Sequence, residues 1–182
     1  NGLVAASLAD VQSQAVSVEI GMRVTPSVHG FIEVGRLRDT APAALGENAR
    51  LIAEYVSLSQ AGLSYQVKQP VTLFQVGARY ALKPHGHYAP YLIGSGGLAR
   101  LTRDVAFSVG RNEITDRLSQ YGVTLGSDLT GDVSKLAATV GGGIAWTRFA
   151  PFSIGLDYRY SRIFDTTALS VNRAGLMFGV TF

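Results

Sequence analysis

The chain has 182 residues, 16% of them charged and 47% apolar, with 21 glycines, no cysteine and a net charge of +3. An average soluble domain carries about 25% charged residues, so the shortage of charge is the informative deviation, and so much glycine argues against a helical protein. The positive charge is scattered, which excludes a nucleic-acid footprint; disulfide frameworks and thiolate metal sites are excluded too, and no run of about 20 apolar residues offers a membrane-spanning helix.

The opening segment NGLVAASLAD lacks the basic region and apolar core of a signal peptide, so an exported chain would be in its mature form. From Ala15 to Thr25 the residues alternate: Val16, Val18, Ile20, Met22 and Val24 fall on one side, Ser17, Glu19, Gly21 and Arg23 on the other. A period of two predicts a strand. After the turn Pro26-Ser27, Val28–Arg36 repeats the pattern, with Val28, Ile32 and Val34 opposite His29, Phe31, Glu33 and Gly35. Ala43–Ser57 reads either as a short amphipathic helix or as strand carried past a membrane. Thr72–Leu82 sets Phe74, Val76, Ala78 and Tyr80 against Leu73, Gln75, Gly77 and Arg79; a short turn, Lys83–His87, leads into a Gly-rich strand, Tyr88–Leu101, of ambiguous facing. Leu136–Arg148, Ser153–Phe164 and Asn172–Phe182 complete seven predicted strands. In the stretch SIGLDYRYSRIF, Ile154, Leu156, Tyr158 and Tyr160 oppose Gly155, Asp157, Arg159 and Ser161.

Connections alternate between short (Pro26-Ser27, Lys83–His87, Phe149–Pro151) and longer ones: Leu37 to about Val71 and Thr102–Lys135 are long, and Asp165–Val171 is intermediate. Short turns on one rim and long loops on the other is the layout of outer-membrane barrels. An even strand count requires an eighth strand, for which Gly2–Ala9 serves, with Asp10–Gln14 as a tight loop. Strands of about 11 residues at about 3.3 Å each, tilted by about 40°, project to about 28 Å, close to the thickness of a hydrocarbon core.

Facing follows from chemistry. The polar sides carry Gly, Ala, Ser and Thr with charges of both signs, Glu19, Arg23, Glu33, Arg79, Asp157, Arg159 and Arg173, which suits an eight-stranded lumen just wide enough for side chains. Tyr80, Tyr88, Tyr91, Trp146, Phe149 and Phe152 lie near the short turns, where a membrane-interface girdle belongs. The rival, a lipocalin-like soluble barrel with its apolar side inward, must hide Val, Ile, Leu, Tyr and Phe from every strand inside while exposing a Gly-rich surface; in the membrane reading buried Arg and Glu are costly when isolated, and pairing in the lumen offsets part of that cost.

These residues carry a likeness. VSVEIGMRVTPSVHGFIEVGRL, FQVGARYALKPHGHYAPYLIGSGGLAR, TVGGGIAWTRFAPFSIGLDYRYSRIF and the terminal GLMFGVTF resemble, in order and spacing, successive strands of the opacity-type, OmpA-like eight-stranded outer-membrane β-barrels of Gram-negative bacteria. The likeness covers about half of the chain and does not extend to the family's aromatic-rich first strand. It implies an all-β, antiparallel up-and-down transmembrane barrel in the outer membrane, with short periplasmic turns and long extracellular loops. Phe178, Val180 and Phe182 then look like the terminal signal read by the barrel-assembly machinery. Residues 1–182 are taken as one barrel domain.

Chemistry is sparse. A lipid A-modifying enzyme needs His, Ser and a carboxylate near the outer leaflet; the histidines, His29, His85 and His87, all fall near short turns. His85-Gly86-His87 reads as a polar turn before it reads as a metal site, and Gly94-Ser95-Gly96-Gly97 lacks the Lys-Ser/Thr of a phosphate loop. No catalysis, cofactor or metal is expected. Expected partners are outer-membrane lipid and lipopolysaccharide, the assembly machinery, and an envelope protein or surface ligand met through 37–71 and 102–135. A small-solute or apolar-molecule transport barrel is the alternative, with a lipid A enzyme behind it.

Overall fold

The computed structural model describes residues 2–10, 14–38, 40, 43–57, 63–109, 112–115, 131–165 and 169–182. The strands are β1 (Gly2–Asp10), β2 (Gln14–Arg23), β3 (Val28–Leu37), β4 (Leu63–Lys68), β5 (Val71–Ala81), β6 (Tyr88–Val109), β7 (Asn112–Glu113), β8 (Gly131–Trp146), β9 (Phe152–Phe164) and β10 (Leu169–Thr181), with one helix, α1 (Ala43–Ser57). The chain divides into two compact units: Asn1–Arg38, Val71–Arg100 and Ser134–Phe182 in the first, Asp39–Pro70 and Leu101–Val133 in the second.

The first unit is an up-and-down barrel. Around the ring the order is β1, β2, β3, β5, β6, β8, β9, β10, and β10 returns to pair with β1 from Leu3↔Thr181 to Ala9↔Gly175. The eighth strand inferred from parity is therefore present as β1, and it pairs with β2 up to Asp10↔Gln14; residues 11–13 between them lie outside the described set. With every strand of this ring paired on both sides, it leaves no edge to template aggregation.

Alternation decides the facing. Along β9 the even positions are exposed, apart from the half-buried Tyr160, and the odd positions Gly155, Asp157, Arg159, Ser161 and Ile163 are buried. Leu156 stands 67% exposed and Val76 65%, while Arg159 is 2% exposed. The apolar side thus points away from the barrel axis on β2, β3, β5, β8, β9 and β10 alike. A soluble barrel would reverse this arrangement, since apolar burial drives its folding.

Short turns close one rim. In the β5–β6 turn, His85 and Tyr88 exchange backbone hydrogen bonds of 2.9 and 3.1 Å, and Gly86 takes a φ of 62°, a left-handed conformation that glycine adopts without steric cost. Glycine is also required at Gly143 on β8: a Cβ there would lie 2.2 Å from the Leu156 carbonyl oxygen and 2.5 Å from the Tyr91 hydroxyl.

The second unit contains α1, β4, β7 and the end of β6 from Leu101. β4 pairs with β6 from Leu63↔Val109 to Lys68↔Asp104. Leu101, Val105 and Phe107 are buried along one side of this segment, as are Ala49 and Ala53 of the helix. Ala43–Ser57, which the sequence leaves open between helix and strand, is a helix, and Arg50 ion-pairs with Glu47 and Glu54 one turn either side. Thr102–Lys135 is less of a loop than its sequence suggests, because β6 runs on to Val109 and β8 begins at Gly131. Among the described residues no helix is long and apolar enough to cross a membrane.

Candidate functional site

The barrel interior is the most elaborate polar arrangement in the first unit. Arg159 of β9 is its hub. Its guanidinium lies 3.1 Å from Glu19 of β2, 2.7 Å from Glu33 of β3 and 2.7 Å from Asp157 on its own strand. Arg79 of β5 takes the other oxygen of Glu19 at 2.8 Å, and Arg173 of β10 meets the other oxygen of Glu33 at 3.4 Å. Three arginines and three carboxylates therefore interlock across the lumen, each carboxylate held by cations or by the Tyr91 hydroxyl. The contacts with Glu19 and Asp157 and that of Arg173 with Glu33 are charge-assisted hydrogen bonds, the strong kind, while Arg159 meets Glu33 as an ion pair without hydrogen-bond geometry.

Neutral groups flank the ions. The Tyr91 hydroxyl donates to Asp157 Oδ2 at 2.8 Å, while the Arg79 guanidinium lies 4.3 Å from the Tyr91 ring centre. Towards the long-connection rim, Arg173 Nη2 donates to Ser161 Oγ at 3.2 Å, Ser161 and Thr139 share a hydrogen bond of 2.7 Å, and Thr139 donates to Gln75 Oε1 at 3.0 Å. Phe31, Tyr91, Ile93, Ala145 and Met177 form an apolar cluster within the same lumen.

Of the seven charges expected inside, Glu19, Glu33, Arg79, Asp157, Arg159 and Arg173 are buried together, whereas Arg23 is exposed. Arg23 shares the parity of Glu19 but is the last residue of β2, where the polar face has reached the rim. A second correction concerns Tyr91. It is 4% exposed and belongs to the lumen, not to an interfacial girdle. On β6 the outward row is Tyr88, Leu92 and Leu98, and Tyr91 falls on the opposite parity with Ile93 and Ala99. Its partners Asp157 and Arg79 are legible as inward residues; the glycines around Gly94 hide which side of β6 is which. Gln75, Thr139, Ser161 and Met177, absent from the expected network, share its inward parity, and that is the available signal.

Tyr80, Tyr88, Trp146, Phe149 and Phe152 are exposed near the short turns, and the Trp146 and Phe149 rings meet edge to face at 5.4 Å. Phe178, Val180 and Phe182 are exposed on and after β10. His85 and His87 are exposed in the β5–β6 turn, and His29 is half-buried. Among the described residues no group of three or more His, Asp or Glu side chains could hold a metal.

No family model and no curated protein matches the sequence. Solved structures do match. Neisserial surface protein A is 12% identical with a TM-score of 0.58, covering 100% of this chain and 94% of its own. The N-terminal β-barrel domain of Pseudomonas aeruginosa OprF is 14% identical at 0.54, covering 98% and 96%. A major outer membrane protein from Thermus thermophilus is 7% identical at 0.61, covering 98% of both chains. The ring order, the inverted facing and these likenesses agree: the chain has the fold of the OmpA-like eight-stranded outer-membrane β-barrels.

Proposed function

We propose that this chain is a bacterial outer-membrane barrel with a structural and surface-contact role, serving adhesion, envelope integrity or membership of an envelope assembly, and without catalysis. The observation that carries this reading is the filled lumen. Six interlocked charges and the Phe31–Met177 cluster occupy the space that a diffusion pore would leave open. An eight-stranded barrel has little room to spare for water beside them.

In this reading the exposed Val, Ile, Leu and Phe rows contact lipid, and Tyr80, Tyr88, Trp146, Phe149 and Phe152 sit at the periplasmic interface. The spans 37–71 and 102–135 contact an envelope protein or surface ligand, as loop-borne recognition usually does. Phe178, Val180 and Phe182 serve the assembly machinery. The deciding experiment is purified protein in planar bilayers together with a swelling assay for small solutes. Silent bilayers with heat-modifiable, detergent-extracted protein are expected. A steady conductance or solute flux would replace this reading with the transport barrel.

A further inference from the structure

The charges that the lumen does not absorb gather at the short-turn rim, and there they have one sign. No Asp or Glu occurs between Glu19 and Glu33, between Glu54 and Asp104, or between Asp132 and Asp157. Those spans contain the three short turns, with Arg23, Lys83 and Arg148 in or beside them and His85 and His87 in the second. All five side chains are exposed. Among the described residues Arg23, Lys83 and Arg148 have no ion-pair partner. Towards the other rim a cation is answered, Lys135 by Asp165 at 2.8 Å.

Where the rim cations stand decides what they can meet. Arg23 pairs with His29, and His29 with Arg79, in one inward-facing row whose inner end holds an anion, Glu19 at 2.8 Å from Arg79. The buried ions of the described residues balance three against three, so the excess at the mouth stays uncompensated. Lys83 keeps the lumen-facing parity of Arg79, and Arg148 lies two residues beyond Trp146, past the girdle. The outward girdle positions Tyr80, Tyr88, Trp146 and Phe152 include no cation. A lipid headgroup meets outward positions, whereas a ligand arriving along the barrel axis meets the mouth.

The frame beneath these cations is preset. Backbone bonds tie each short turn to the next strand round the ring: Ala81 N to Ser27 O (2.8 Å), Thr147 N to His87 O (2.9 Å) and Thr181 N to Pro151 O (2.9 Å). A preset backbone lowers the ordering cost of binding. Successive short turns are two strand positions apart. That is about 9–10 Å across the strands, and about 12–13 Å along a rim inclined to strands tilted by about 40°. In an extended polypeptide, side chains four residues apart share a face and stand about 13 Å apart.

We propose that the short-turn rim is a docking surface for an acidic polypeptide of the periplasm, an extended segment with Asp or Glu at every fourth residue, whose carboxylates meet Arg23, Lys83 and Arg148. This rests on the membrane reading above, which puts this rim in the periplasm, and adds the partner's chemistry and the residues that receive it. The uncompensated positive field steers the segment to the mouth, and salt weakens the complex by screening it.

The test uses the full chain in nanodiscs of zwitterionic phosphatidylcholine. The probe is a fluorescein-labelled peptide of serine and glycine with Glu at every fourth position; the control peptide has Gln there, and anisotropy reads both affinities. The Glu peptide should bind saturably in dilute salt, and the Gln peptide at least about tenfold more weakly. The triple variant R23Q/K83Q/R148Q should lose at least about tenfold, the size expected when three exposed charge pairs vanish together, while R36Q/R162Q, at the other rim, should lose nothing. Heat-modifiable migration verifies that each variant is folded. Absence of saturable binding, equal affinity for the two peptides, undiminished affinity in the triple variant, or an equal loss in R36Q/R162Q overturns the inference. In discs doped with phosphatidylglycerol, native mass spectrometry should find as much of that lipid on the triple variant as on the parent; retention by the parent alone would give the cations to an anionic lipid and overturn the polypeptide. Polygalacturonate that displaces the Glu peptide at a lower carboxylate concentration than the unlabelled peptide does would give them to a carboxylated glycan, with the same consequence. Failure of the parent chain to enter the nanodisc would instead overturn the membrane reading itself.

Discussion

Replacing Arg159 with glutamine tests the lumen network where it is most concentrated. The substitution removes the cation shared by all three carboxylates, and their fates then differ. Glu19 keeps Arg79 at 2.8 Å, and Asp157 keeps the Tyr91 hydroxyl at 2.8 Å. Glu33, with 0% exposure, is left with Arg173 at 3.4 Å. Removing one member of a buried ion pair typically costs about 3–5 kcal/mol because a charge is stranded, and Glu33 is the group stranded here. Urea unfolding in lipid vesicles, followed by the fluorescence of Trp146, the chain's single tryptophan, reads the loss directly. Adding Glu33→Gln to the same chain removes the stranded charge and should return about half of the stability, a coupling that only groups in contact show. If Arg159→Gln alone costs under about 1 kcal/mol, in the range of an exposed pair, the residue reaches bulk water and the lumen assignment fails.

Leu156→Arg should destabilise the inserted barrel by about 2–4 kcal/mol if Leu156 faces acyl chains near mid-bilayer; an unchanged urea midpoint in vesicles would show that it faces water. Tyr91→Phe should cost about 1.5–3 kcal/mol, since it deletes a hydrogen bond to a charged acceptor within the lumen, whereas a girdle tyrosine would lose little; the same unfolding assay separates the two. On α1, outside the spanning strands, the hydrogen bond from Arg50, helped by its charge, holds the Glu47 carboxyl below the ordinary glutamate value. A depressed folded pKa means that the contribution of this contact is complete above the unfolded value and is lost as pH falls through the folded one. A carbon-detected NMR titration of Glu47 should give that lowered midpoint, and Arg50→Gln should raise it.

The strands are legible because a membrane wall enforces alternation more strictly than a soluble surface does. Each outward residue must tolerate lipid and each inward one must fit the lumen, so parity alone places Glu19, Glu33, Asp157 and Arg159. Parity gives a side of the sheet and not a depth. Arg23 has the correct side at a position already past the lumen. Tyr91 escapes its true place because Gly94, Gly96 and Gly97 carry no side chain to mark either face of β6. Beyond Leu101 the wall no longer imposes its pattern, although Leu101, Val105 and Phe107 still alternate as buried residues, and that spacing is the sign that β6 continues. Contacts between distant strands, such as Arg173 with Glu33, depend on ring closure, which no local pattern encodes.

The three-against-three balance in the lumen has an electrical consequence. Among the described residues the buried side chains carry equal numbers of positive and negative ions. Each elementary charge moved through a potential of 100 mV exchanges about 2.3 kcal/mol with the field, and a neutral cluster displaced as a body exchanges none. Polarising the bilayer should therefore leave this interior where it is, and any voltage response of the protein would have to originate in charges outside it.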